Sequence, residues 1–225
     1  ETEGIAPPAQ NTSAPVGGQK SSRLDMPPAM IGPLSFRLAA ANGDSSAQFE
    51  VGARFAEGEG VPQNFAEAAK WYQRSAEQGF ALAQYRLGTL YERGLGLKAD
   101  RKQASTWYLR AAEQGNIKAM HNLAVLSANQ SDRAPDYTTA AQWFEEAAKR
   151  GLPDSQFNLA VLYENGLGVT RDLRTAFMWL SLAAQGGDAD AVRRRDILRG
   201  KLTAQDITVA RKMIDAWRMT PVDRA

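Results

Sequence analysis

Apolar residues return along this chain at helical spacing, in paired segments separated by glycines and polar turns. In residues 79–114, Ala83, Leu87, Leu90 and Tyr91 fall at i, i+4, i+7 and i+8, one stripe of a helix. Gly94 and Gly96 interrupt it. A second stripe, Ala104, Trp107, Tyr108 and Ala111, lies in a segment running from about Arg101 to Gln114. Gly115 follows, where a glycine stops a helix just past its C-terminus. Asp100 opens this second segment, and Asn64, Asp136 and Asp172 stand at the same place in the neighbouring units. Such residues are strong N-caps, because the side-chain oxygen accepts a hydrogen bond from an orphan N–H of the first turn. Each unit is therefore predicted to be two helices joined by a turn.

The units are copies. Trp71, Trp107, Trp143 and Trp179 are each 36 residues apart, and Gly43, Gly79, Gly115, Gly151 and Gly187 keep the same step. Gly52, Gly88, Ala124 and Ala160 keep it too, which predicts close helix approach at a small side chain. The predicted fold is an all-α, α/α solenoid of four 36-residue helix-turn-helix repeats, at about 43–78, 79–114, 115–150 and 151–186. A half-repeat precedes them from Leu34, since RLAAANG matches LRAAEQG. A degenerate helical capping unit follows at 187–220, with helices near 188–198 and 204–218, Thr203 and Asp206 as a capping pair, and Trp217 closing the last apolar layer. Residues 1–33 hold six of the ten prolines and lack helical periodicity. They read as a flexible linker whose later part, LDMPPAMIGP, is apolar enough to pack on the first repeat.

Composition narrows the function classes. Lys plus Arg is 27 against 25 for Asp plus Glu, so no global charge draws the chain to nucleic acid or anionic lipid. There are no cysteines, which removes disulfides, thiolate catalysis and cysteine metal sites. No apolar run is long enough to cross a bilayer. The chain starts at Glu1 with no signal-peptide pattern, as expected of a processed product or a piece of a longer protein.

The strings A-x-x-x-L-G-x-x-Y-x-x-G-x-G in 83–96 and A-x-x-W-Y-x-x-A-A-x-x-G in 104–115 resemble the Sel1-like repeat family, a branch of the tetratricopeptide-type solenoids. The resemblance implies a binding fold and is specific for architecture rather than for partner. The lead-in LDMPPAMIGPLSFRLAAANGD also resembles the periplasmic repeat region of PodJ-type polar localisation factors. That likeness implies a periplasmic location, with a cytoplasmic location as the alternative.

Several positions are candidates for binding. Phe49, Tyr85, His121 and Phe157 share one position of the first helix, followed by Glu50, Arg86, Asn122 and Asn158. In tetratricopeptide-like arrays first-helix residues line the concave surface. There the rings make a stacking ladder, while Arg86, Lys118, Asn122 and Asn158 supply donors for a peptide or its carboxylate. The same periodicity is also what a packing consensus produces, because aromatic periodicity ordinarily marks a core. The loop SANQSDRAPDY of the third repeat has Gln130 and Asp132 where the other repeats have the Gly-x-Gly pairs, so it is either a partner-specific contact or drift in a tolerant loop. Arg193, Arg194 and Arg195 form a basic patch for an acidic partner, or a solvated helix face diluted by Asp188, Asp190 and Asp196.

No catalytic, cofactor-binding or metal site is expected. His121 is the single histidine and lacks a nucleophile or carboxylate pattern beside it. The Gly-x-Gly pairs lack the third glycine and the G-K-[ST] ending of phosphate loops, and read as interhelical turns. The expected function is a non-enzymatic protein–protein interaction scaffold of the bacterial envelope, the periplasmic part of a polar localisation or organelle development factor, holding a protein or peptide, with peptidoglycan as a second candidate ligand. Alternatives are a periplasmic regulator of a sensor kinase and, in a different class, an enzyme acting on peptidoglycan or β-lactams. The penicillin-linked relatives of this family carry cysteine pairs that are absent here.

Overall fold

The first and second helices of each unit form antiparallel pairs, and the pairs stack. The computed structural model describes residues 25–130 and 134–221, which contain eleven α-helices and no strand. The first helices of the four repeats are α2 (Ser45–Glu57), α4 (Ala81–Arg93), α6 (Ile117–Ala128) and α8 (Pro153–Asn165). The second helices are α3 (Phe65–Glu77), α5 (Arg101–Glu113), α7 (Tyr137–Lys149) and α9 (Leu173–Gln185). The half-repeat is α1 (Leu34–Ala41), and α10 (Ala189–Arg199) and α11 (Ala204–Ala216) close the other end. Each first helix packs on the second helix of its own unit and on that of the unit before it.

The predicted caps form. Asn64, Asp100, Asp136 and Asp172 each accept backbone N–H bonds from the first turn of their second helix. Asp44, Asn116 and Asp188 do the same for α2, α6 and α10. Thr203 and Asp206 make a reciprocal capping box on α11.

The Gly-x-Gly turns have two jobs. Gly94 ends α4 in the left-handed region at φ 67°. Gly96, at φ 72°, lies on the start of α3, where a Cβ would stand 2.2 Å from the Phe65 carbonyl carbon. Only glycine permits that approach. Gly168 sits in the same way on Tyr137, and Gly60 on the Met30 carbonyl.

A second link between units is a buried glutamine. Gln48, Gln84 and Gln156 donate from Nε2 to the carbonyls of Ala40, Ala76 and Ala148, at 3.0, 3.1 and 3.1 Å. Each bond runs from a first helix to the last turn of the preceding second helix. Gln78 and Gln114 then donate to the Gln48 and Gln84 Oε1 atoms, both at 2.7 Å. Nothing in the apolar periodicity announced this clasp, since it depends on where two helix ends meet.

The two ends behave differently. The later, apolar part of the 1–33 linker packs on the first repeat as its composition suggested: from Asp25 onward it is held, Ile31 is fully buried, and Arg37 and Arg54 hold the Pro27 and Ile31 carbonyls. Residues 1–24 lie outside the described residues. At the other end, α10 stacks on α9 as a first helix should, but α11 packs on α9 instead of pairing with α10 as a second helix would. The reason is chemical. Arg195, Asp196 and Arg199 of α10 stand 36 residues after Leu159, Ala160 and Tyr163 of α8, so the face that would receive a partner helix is charged. Helix α11 covers Met178 and Leu182 of α9 instead, which are buried, whereas α3 and α5 carry Lys70, Thr106, Arg74 and Arg110 at those positions. Trp217 joins this C-terminal core, as expected.

Candidate functional site

The first helices share one face that recurs in all four repeats. Its ring column is tied to the helices behind it. Phe49 packs on Tyr72 and Phe80 at centroid distances of 5.6 and 5.3 Å. Tyr85 packs on Tyr108 at 5.9 Å, and His121 meets Phe144 edge-on at 5.6 Å. Phe157 leans on the C-terminal core. All four are half-buried. Their aromatic neighbours lie on second helices or at a helix start, so the rings hold the stack together and expose only part of each face.

The polar residues that follow the rings are more available. Arg86 and Lys118 are exposed on α4 and α6, and Asn122 and Asn158 are half-exposed on α6 and α8. Arg86 lies close enough to the Tyr72 hydroxyl to favour its ionised form, yet burial dominates and pushes that phenol up to about 12. Asn122 lies beside the Tyr108 hydroxyl. That hydroxyl donates to Glu92 Oε2 at 2.6 Å and meets Thr89 Oγ1 at 3.2 Å. Burial, and then the Glu92 hydrogen bond, raises the Tyr108 pKa far above the ordinary phenol value.

Sequence reasoning missed the rest of the stripe. Asn122 and Val125 of α6 and its C-cap Asn129 fall at i, i+3 and i+7, and Asn158, Val161 and Asn165 repeat them 36 residues later on α8. All six are at least partly exposed. The corresponding first-helix residues of the first two repeats are Glu50, Ala53 and Glu57, then Arg86, Thr89 and Arg93. The face is thus charged in its first half and amide-bearing with branched apolar residues in its second. The i, i+3, i+7 spacing was the available signal.

His121 is placed for packing. Its Nδ1 is 2.9 Å from Ser155 Oγ. A serine beside a histidine is half of a nucleophile–base pair, but Ser155 is fully buried and its hydroxyl cannot meet a substrate. Among the described residues no carboxylate hydrogen-bonds the imidazole, and no group of three His, Asp or Glu side chains could hold a metal ion. Burial lowers the His121 pKa, with Asp154 opposing weakly.

The basic patch is not bare. Arg193 pairs with Asp190, Arg194 with Glu164 at 2.9 Å, and Arg195 with Asp196 at 2.8 Å. Glu164 also receives Lys201 at 3.1 Å. In the third-repeat loop Gln130 is partly buried next to α6, while Asp132 lies outside the described residues. No helix among the described residues is long and apolar enough to cross a membrane.

These repeats identify the class. The Sel1 repeat family matches residues 45–80, 81–116, 117–152 and 153–188, and the chain belongs to that family. Each match starts two residues after the corresponding glycine-led unit, at the first helix itself. Among solved structures the chain is similar to a Sel1 repeat protein from Oxalobacter formigenes, with 34% identity and a TM-score of 0.63 over 67% of this chain and 62% of that one. It is also similar to c5321, a protective antigen of uropathogenic Escherichia coli strains with an SLR fold, at 29% identity and a TM-score of 0.50, covering 81% of this chain and 47% of that one. The chain thus spans less than two thirds of either relative. No curated protein matches it. Repeat proteins of this family generally act as protein–protein interaction scaffolds.

Proposed function

We propose that this chain is a non-enzymatic scaffold whose first-helix face holds an extended segment of a partner protein. The repeated amide stripe of α6 and α8 carries this reading. An Asn amide offers both donor and acceptor, so Asn122 and Asn158 can pair with a peptide backbone whatever its sequence. Val125 and Val161 between the amides give small apolar contacts for side chains of that segment. Arg86 and Arg93 on the neighbouring α4, with Lys118 at the start of α6, suit a carboxylate at one end of it. A stacked array supports this use because it supplies a long, pre-formed surface.

The lead-in segment and the family resemblance favour a periplasmic setting in the bacterial envelope, as part of a polar localisation factor. A membrane sensor kinase is a partner of the same kind, and only its identification separates the two roles. Nothing in the geometry favours a peptidoglycan or β-lactam enzyme.

Photo-cross-linking from position 125 or 161, followed by mass spectrometry of the captured segment, tests the proposal. The expected result is one partner sequence whose synthetic peptide binds the purified chain and loses at least about tenfold in affinity with Asn122→Ala/Asn158→Ala, as two lost amide–backbone pairs imply. Unchanged affinity in a variant with unaltered melting overturns it. A reporter fusion of the full reading frame tests the compartment.

A further inference from the structure

Four junctions join the units from the half-repeat to the fourth repeat, and three of them share the same two fastenings; the fifth, of α9 with α10, carries Val192 and Ala204 at those positions and has α11 laid on α9 instead. Between the half-repeat and the first repeat, Gln48 clasps the Ala40 carbonyl and Gly60 lies on the Met30 carbonyl. Between the first and second repeats, Gln84 clasps Ala76 and Gly96 lies on Phe65. Between the third and fourth, Gln156 clasps Ala148 and Gly168 lies on Tyr137.

The junction of α5 with α6 lacks the residues for either. The clasp position is Met120, a buried thioether that cannot donate to the Ala112 carbonyl. The position of Gly60, Gly96 and Gly168 is Asp132, whose Cβ is incompatible with the approach those glycines make. Arg150 replaces the supporting glutamines Gln78 and Gln114. With no glutamine to meet, its guanidinium turns back to Glu146 at 2.6 Å, and its Nε is buried without a partner. Among the described residues, what spans the junction instead is apolar packing of Ala111 and Ala112 with Ala119, Met120 and Leu123, Asn122 beside the Tyr108 hydroxyl, and the side chain of Arg101 reaching the Leu126 and Asn129 carbonyls. Such contacts can slide, because apolar packing is non-directional and an arginine has many rotamers.

We infer that the solenoid is built to flex at the α5–α6 junction. The position of the seam is functional, since it divides the charged half of the first-helix face, on α2 and α4, from the amide-bearing half, on α6 and α8. A stack held only by neighbour contacts opens at its weakest interface. Bending there changes the angle between the two halves without disturbing either, so the face can adapt its curvature to a bound segment.

Amide hydrogen exchange on the intact chain, without ligand, tests this independently of any partner. Amides at the end of α5 and through α6 should exchange faster than those of α4 and α8. Met120→Gln/Arg150→Gln, which supplies the missing clasp, should slow them about fivefold, the effect of one net hydrogen bond. The reciprocal variant, Gln84→Met/Gln114→Arg, should move fast exchange to the α3–α4 junction. Equal protection of α6 and its neighbours in the unaltered chain overturns the inference. So does a reciprocal variant that folds with the α3–α4 junction as protected as before.

Discussion

The ring of Tyr108 lies flat against the backbone of Gly88, so closely that a Cβ there would stand 2.7 Å from the Tyr108 Cδ1. Gly52 and Tyr72 repeat the relationship at the same distance. In the last two repeats the corresponding pairs are Ala124 with Phe144 and Ala160 with Leu180. Where the second helix carries tyrosine the first carries glycine, and where the hydroxyl is absent alanine is admitted. In Tyr108 the hydroxyl is anchored to Glu92, which fixes how deep the ring sits.

Gly88→Ala should therefore destabilise the protein by about 1–3 kcal/mol through overpacking, even though alanine favours the helix by about 1 kcal/mol. Freeing the ring should recover part of that loss, so Gly88→Ala should cost less in a Tyr108→Phe background. Urea unfolding of the four proteins in the cycle measures the coupling.

Trp107 is 7% exposed, with the Arg110 guanidinium 4.7 Å from its ring centroid. Trp107→Ala should cost about 3–5 kcal/mol. Because units support only their neighbours, the loss should also broaden the thermal transition as the array splits into separately melting parts. Calorimetry checks both effects, and a single sharp transition at the original temperature would remove Trp107 from the core.

The buried His121 makes stability depend on pH. Its folded-state pKa is pushed below 6.5 by burial. As the pH falls through about 6.5 the unfolded chain takes up a proton that the folded chain refuses, so stability drops. The His121→Phe/Ser155→Ala variant copies the Phe49 and Ala47 positions of the first repeats. It should show a smaller fall in melting temperature between pH 7.5 and 5.5 than the unaltered chain, since about this window spans the histidine titration.

Glu164 ties the cap to the fourth repeat. Burial acts to raise its pKa, but Arg194 and Lys201 outweigh this and hold it below 4.5. Its contribution is present above the ordinary carboxylate range and disappears as the pH falls through the depressed folded value. Glu164→Gln should cost about 1 kcal/mol at neutral pH, since both cations are partly exposed. The gap should narrow with acid and with salt. Unfolding midpoints across pH and ionic strength give the comparison.

The repeats, their boundaries and the second-helix caps are legible in the sequence because each rests on local chemistry. A 36-residue step, a helical apolar stripe and an Asn or Asp before it need no knowledge of distant neighbours. The first-helix caps at Asp44, Asn116 and Asp188 followed the same logic and could have been read. The functional face was legible only in part. Its ring column was found, but periodicity could not tell a packed ring from an offered one, because both obey the same spacing. The dilution of the basic patch by Asp190 and Asp196 was legible, and these pair with Arg193 and Arg195, but the pairing of Arg194 was not, since Glu164 reaches it from 30 positions away.

By itself, then, the chain's spelling settles that paired helices form and that they must stack, because no single pair can bury its own apolar side. How the stack is fastened was left to three dimensions. The glutamine clasp, the glycine lying on a neighbour's backbone and the turn of α11 onto α9 all join groups from different units. Such contacts are decided by where helix ends and faces meet, which local propensity does not encode.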